Sequence, residues 1–361
     1  MSIITKKSEE FLFEYLNNAS PTGHEAPGQK LWLAYIREYI DEYEIDTYGT
    51  VYGVINPGQD YKVVIEAHAD EISWFVNHID DKGFIKVIRN GGSDHQIAPS
   101  KRVHIHTKKG IVHAVFGWPA IHTRRGEEKD KTPTLKNIFL DVGANTKEEV
   151  LEMGIDVGCV VTYPDELTLL NDRYYCGRAL DNKMGGFCIA EVARLIKKNK
   201  IKLPYSLYIV NSVQEEVGLR GATMIANRIK PDVAIVTDVT HDTHTPMLSP
   251  KELGDIKTGE GPTITYAPAV HNILQDLIIE AAEKKKIPLQ REAVSRHTGT
   301  DTDAFAYSSE GVPSALISLP IRYMHTTVEM AHKEDIENVI RLIYETLRKI
   351  KKNHNFKYFD V

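Results

Sequence analysis

The chain has 361 residues, and at roughly 150 residues per domain this length implies about two domains, each able to bury a core. Its 44 Lys and Arg against 50 Asp and Glu leave a net charge of −6 with no long basic block, which argues against a nucleic-acid partner, since phosphate backbones bind clustered cations. Hydrophobic residues at 42% and charged residues at 26% are globular averages, and no run approaches the ~18 apolar residues of a membrane span, so a soluble protein is expected with no membrane partner.

The first residues, MSIITKKSEEFLFEYL, alternate acidic with apolar residues after two lysines, unlike the unbroken apolar centre of a signal peptide. No export is expected. Residues 8–16 and 29–43 show helix-period apolar spacing, and SPTGHE between them is a turn. Residues 63–67 then read as a buried strand ending near His68. From about 71 to 164 the texture changes to short alternating runs, such as ISWFVNHI, RVHIHT and GIVHAVFG, punctuated by DDKG, NGGSD and KKG turns. Helix-period segments return at 185–198, 273–286 and 336–351, interleaved with β-branched runs at 205–210, 233–237 and 314–318. This alternation implies an α/β fold, a mostly parallel sheet sandwiched between helices. Residues 1–70 and 165–361 are expected to form that domain, and 71–164 a small β-barrel-like domain inserted into it. Cys159, Cys176 and Cys188 are an odd number without CxxC spacing, which fits a reducing compartment and places the chain in the cytoplasm.

Five acid- or histidine-bearing spots fall at or just past the ends of predicted strands or in the loops that follow, the edge where open α/β sheets bind ligands. In EAHAD, His68 and Asp70 are two apart and share one face of an extended chain. That suits a metal-binding His68 with Asp70 behind it, fixing the imidazole tautomer. In GRALDNKMGG, Asp181 precedes a glycine pair that opens a helix; alone it also reads as a helix cap. In SVQEEVGLRGA, Glu215 and Glu216 follow an apolar strand side by side, so one can face a cation and the other its bound water. Asp238 in AIVTDVTHD and His325 in PIRYMHTTVEM complete the set. Two histidines, three carboxylates and a spare glutamate fit two divalent ions sharing one bridging carboxylate.

In this order EAHAD, GRALDNKMGG, QEEVGLRGA, TDVTHDT and GVPSALISLPIRYMHTTVE resemble the cytoplasmic dinuclear metallo-aminopeptidases of the tetrahedral, glutamyl and deblocking group, often mislabelled endoglucanases. The likeness runs from SPTGHE to the final helix. It implies a zinc-exopeptidase-like α/β/α fold that removes the N-terminal residue from short peptides. It also implies two metal ions, zinc with cobalt or manganese as alternatives, one held by His68, Asp181 and Asp238 and the other by Asp181, Glu216 and His325. Glu215 would be the general base and Asp70 would support His68. The inserted β domain would serve oligomerisation, to an assembly of twelve chains. One departure is visible: Asn182 stands where the family usually has a second Asp.

Other features carry less. His241 and His244 read as orientation or substrate contacts, Asp301 and Asp303 as a loop lining the site, and His104 and His106 as a polar sheet face or subunit contact. Two rival readings remain at this level. A glycosidase needs paired carboxyls but has no use for His68 and His325. A metal-binding protein without catalysis has no use for Glu215.

Overall fold

The computed structural model describes residues 3–126 and 131–359. Four parallel strands form the middle of the main sheet, in spatial order Ser206–Ser212, Lys62–His68, Val233–His241 and Ser314–Arg322. Their Val, Ile, Leu and Ala runs reflect burial on both faces. Along Lys62–His68, Val63, Ile65 and Ala67 enter one core layer while Val64 enters the other. Helices Lys6–Asn17, Ala26–Ile36, Leu180–Lys198, Asn272–Lys285 and Lys333–Leu347 cover the first face. Helices Arg220–Ile229 and Thr302–Ala306 cover the second.

The α/β class expected from the sequence is the one observed, and the sheet is mixed, its parallel pairing concentrated in this middle. Strands Glu42–Ile45 and Val51–Ile55 extend one edge antiparallel, as do Glu329–His332, Tyr174–Gly177 and Thr168–Leu170 at the other. Short loops cause this: a few residues between Ile45 and Val51, Leu170 and Tyr174, or Arg322 and Glu329 can reverse a chain but cannot hold a crossover helix. The helix expected over 29–43 ends at Ile36, and its last two residues belong instead to EYEI, Glu42–Ile45, which alternates and pairs with Val51–Ile55 in the register Glu42↔Val54 to Ile45↔Val51. Helix Arg220–Ile229 has no counterpart among the sequence expectations, since RGATMIANRI has a glycine in its first turn and carries few large apolar residues.

Between His68 and Tyr174 six strands close into a small barrel, in the order Ser73–Ile79, Ile85–Asn90, Leu140–Asp141, Gly110–Phe116, Arg102–Thr107 and Val160–Thr162. Its interior holds Trp74, Val76, Ile79, Ile105, Phe116 and Val161. A register shift between Val76 and His78 moves the inward position to Ile79, so a strand that breaks strict alternation still fills the barrel. The loop after Ile85–Asn90 reaches back to the main sheet. A Cβ placed on Gly92 would lie 2.4 Å from His325 Nδ1, so only glycine lets the barrel approach that ring so closely.

Candidate metal centre

The sequence-identified side chains converge at the carboxyl ends of the parallel strands. His68 ends its strand, and Glu215 and Glu216 form a short 3-10 turn after Ser206–Ser212. Asp238 lies near the end of Val233–His241, and His325 follows Ser314–Arg322. Asp181 sits at the start of helix Leu180–Lys198, where it and Asn182 depart from helical φ/ψ. That helix has no side-chain cap bond, so the Asp181 carboxylate is free to face the histidines.

His68 Nε2 is 3.3 Å from Asp181 Oδ1 and 3.8 Å from both Glu215 Oε2 and Asp238 Oδ1. His325 Nε2 is 3.2 Å from Asp181 Oδ2 and 3.5 Å from Glu216 Oε1. Each oxygen of one carboxylate therefore faces a different histidine. Among the described residues two donor groups have ligand atoms within 4.8 Å of one another: His68 with Asp181 and Glu216, and His68 with Glu215 and Asp238. These groupings cut across the two ligand sets implied by the resemblance, because all six side chains share one cluster.

Two further carboxylates hold the cluster in shape. Asp70 is fully buried, with Oδ1 3.3 Å from His68 Nδ1. The same Oδ1 accepts the Glu215 N–H at 3.0 Å, while Oδ2 accepts the Glu216 N–H at 3.2 Å and the Thr22 hydroxyl at 2.9 Å. Glu329 was not singled out by the sequence, yet it accepts the N–H groups of Asp181 at 3.1 Å and His325 at 2.7 Å. It stands in MHTTVEM, four residues beyond His325, and only the fold shows that it also reaches Asp181.

Electrostatics expose a demand for positive charge. Burial pushes Glu215 up to about 10, against the pull of His68, and raises Glu216 and Asp238 as well. Burial alone would depress the histidines. The surrounding carboxylates outweigh it, carrying His325 up to about 11 and His68 well above its usual value. Asp181 moves the other way: burial raises it, but its bonds to His325 and His68 hold it below the ordinary carboxylate range. Among the described residues no Lys or Arg pairs with Asp181, Glu215, Glu216 or Asp238. Four carboxylates and two imidazoles, buried or half-buried without a fixed cation, are a donor set that suits two divalent ions.

Comparison with known proteins decides the family. The model of the M42 glutamyl aminopeptidase family matches residues 49–342. This chain belongs to that family. It is a peptidase, an enzyme of the hydrolase class. Among its relatives, the lysyl aminopeptidase of Pyrococcus furiosus is 34% identical over 347 residues, 95% of this chain and 97% of that one. The crystal structure of a TET aminopeptidase from a marine sediment archaeon of the Thaumarchaeota superposes with a TM-score of 0.91 at 30% identity, covering 95% of this chain and 96% of the other. The TET1 peptidase of Pyrococcus horikoshii, described as able to assemble into a tetrahedron or a large octahedral shell, gives 0.82 at 27% identity, covering 94% and 98%.

In this M42 peptidase the remaining sequence candidates separate. His241 and Asp303 line the cavity of about 700 Å³ that holds the cluster, whereas His244 pairs with Asp255 at 2.6 Å on the surface. Asp301 is buried beneath the cavity, accepting the Ser212 hydroxyl at 2.8 Å beside Glu66. His104 packs on His113 across the barrel surface, ring centroids 4.8 Å apart, and His106 bonds Thr162 at 2.8 Å. Asn182 donates to the Thr237 carbonyl at 2.8 Å and accepts from the Gly185 N–H at 3.2 Å. An ionised aspartate there would lack the donor that Thr237 uses.

Proposed function

We propose that this chain is a metal-dependent aminopeptidase that removes the N-terminal residue of short peptides, with two divalent ions and Glu215 as general base. Support comes above all from Asp181, whose two oxygens face His68 at 3.3 Å and His325 at 3.2 Å, the disposition a bridging ligand needs. One ion would be held by His68, Asp181 and Asp238, the other by Asp181, Glu216 and His325; zinc suits these donors, with cobalt or manganese as alternatives. Bound ions of this kind acidify water and polarise the scissile carbonyl. Glu215 takes the proton of the attacking water on a carboxylate oxygen and returns it to the leaving amine. Asp70 keeps the Nε2 side of His68 toward the cluster and anchors the backbone that carries Glu215 and Glu216.

On this reading residues 1–70 and 165–361 make the catalytic domain, and 71–164 serve assembly into a homo-oligomer of twelve chains. The unpaired cysteines suit the cytoplasm. The test is an assay of aminoacyl-nitroanilides, their N-acetylated counterparts and cellulose, before and after chelation. Hydrolysis confined to free-amine substrates, abolished by chelator and restored by zinc, cobalt or manganese, is the expected result. Equal cleavage of acetylated substrates, or full activity in protein shown to be metal-free, overturns it.

A further inference from the structure

The cavity that holds the metal cluster extends past it to Thr240, Thr265 and Glu292. Strand Gln290–Ala293 pairs with Thr263–Tyr266, Glu292 opposite Thr265, and the exposure along it alternates so that Glu292 faces inward and Arg291 outward. Both Glu292 oxygens are engaged by hydroxyls, Oε1 by Thr265 at 2.5 Å and Oε2 by Thr240 at 2.8 Å. Each oxygen keeps a lone pair for a further donor. Among the described residues no Lys or Arg lines this cavity, while a second acid outside the cluster, Asp303, does. Even with the four cluster carboxylates balanced by two divalent ions, the wall stays negative.

Position gives this charge a meaning. Thr240 stands two residues after Asp238 on one strand, so both project from the same face about 6.6 Å apart. Glu292, hydrogen-bonded to Thr240, therefore lies about one extended lysine or arginine side chain beyond the cluster. We infer that Glu292 is a specificity residue that receives the cationic side chain of an N-terminal lysine or arginine. This assignment rests on the aminopeptidase reading. It sets this chain apart from a glutamyl specificity, since an acidic side chain directed past the ions would meet Glu292 and Asp303 rather than a Lys or Arg.

The experiment measures kcat/KM for lysyl-, arginyl-, leucyl- and glutamyl-nitroanilide, and the calorimetric affinities of lysinol and leucinol, for the wild type and Glu292→Gln. Expected is a wild-type preference for the basic residues. In Glu292→Gln the lysyl-to-leucyl ratio falls about ten- to a hundred-fold in both turnover and binding, the scale of one charge-assisted hydrogen bond. Ratios taken within one variant are insensitive to the fraction folded. A wild type that prefers leucine or glutamate overturns the assignment. So does an equal fall for all substrates, which would place Glu292 on the common α-amine. A wild type that binds lysinol over leucinol yet cleaves no nitroanilide supports the pocket and removes the aminopeptidase reading.

Discussion

Asp181 and Glu215 contact the same histidine yet are assigned different work, so their variants must fail differently. Loss of the Asp181 carboxylate removes a donor facing both His68 and His325. Asp181→Ala should lose activity together with most of the bound metal, and two metals per chain by elemental analysis would eliminate the bridging role. Glu215→Gln keeps the volume and removes the base, so turnover should drop by ~10²–10⁴ while metal content stays near normal. Metal lost alongside turnover in that variant would exchange the roles of Glu215 and Glu216. These residues were legible because strand ends announce themselves in sequence, and acids or histidines just beyond a Val/Ile run have few structural excuses. Glu329 and Glu292 were not legible, for their meaning lies in partners far along the chain: Asp181 for one, Thr240 and Thr265 for the other.

Loops at the level of whole elements carry the cluster, and glycines set how closely those elements approach. Gly221, in the first turn of helix Arg220–Ile229, packs against the residues just before Glu215 and donates its N–H to the Val213 carbonyl at 2.9 Å. A Cβ there would lie 2.3 Å from that oxygen and 2.5 Å from the Val213 nitrogen. Because these atoms are Val213 backbone and not a movable side chain, Gly221→Ala should destabilise the fold by about 1–3 kcal/mol in denaturant titration, and should shift the Glu215 turn. At Gly92 the atoms nearest an added methyl belong to the His325 ring, which can swing away. Gly92→Ala should keep wild-type stability but lose metal and activity; the reverse pattern in the two variants would refute this division. The turns also explain why element boundaries were hard to read. Ala179 (φ 58°), Gln214 (φ 58°) and His325 (φ 61°) adopt left-handed backbone beside the cluster, where residue type gives no warning. The central strands and long helices were readable from periodicity, whereas the flanking antiparallel strands are short and take their identity from pairing partners.

For the molecule as a whole, the barrel poses the largest question, because it contributes Gly92 to the centre but none of the six clustered side chains. Strand Gly110–Phe116 shows how it could serve assembly. Val112, Ala114 and Phe116 turn toward the barrel core, while Ile111 and Val115 stand 54% and 44% exposed on the outer face, with His113 between them against His104. Ile88 is 47% exposed on another barrel strand, and Ile121 is 63% exposed in the segment that follows Phe116. Apolar side chains left on an outer face are stabilised when a second copy covers them. Twelve chains of 40.8 kDa, about 490 kDa, is the mass that light scattering coupled to size exclusion should return for the purified protein. Replacing Ile111 and Val115 together with aspartate puts two charges on the proposed contact without touching the barrel interior, and should shift the protein to smaller species. Activity on a nitroanilide should survive that change, since the clustered side chains come from one chain. The preference for short over long peptides should weaken, because a closed shell restricts which substrates reach the cavity. A wild type that is monomeric at working concentration sinks the assembly role, and a dimer keeps an interface but discards the enclosing shell.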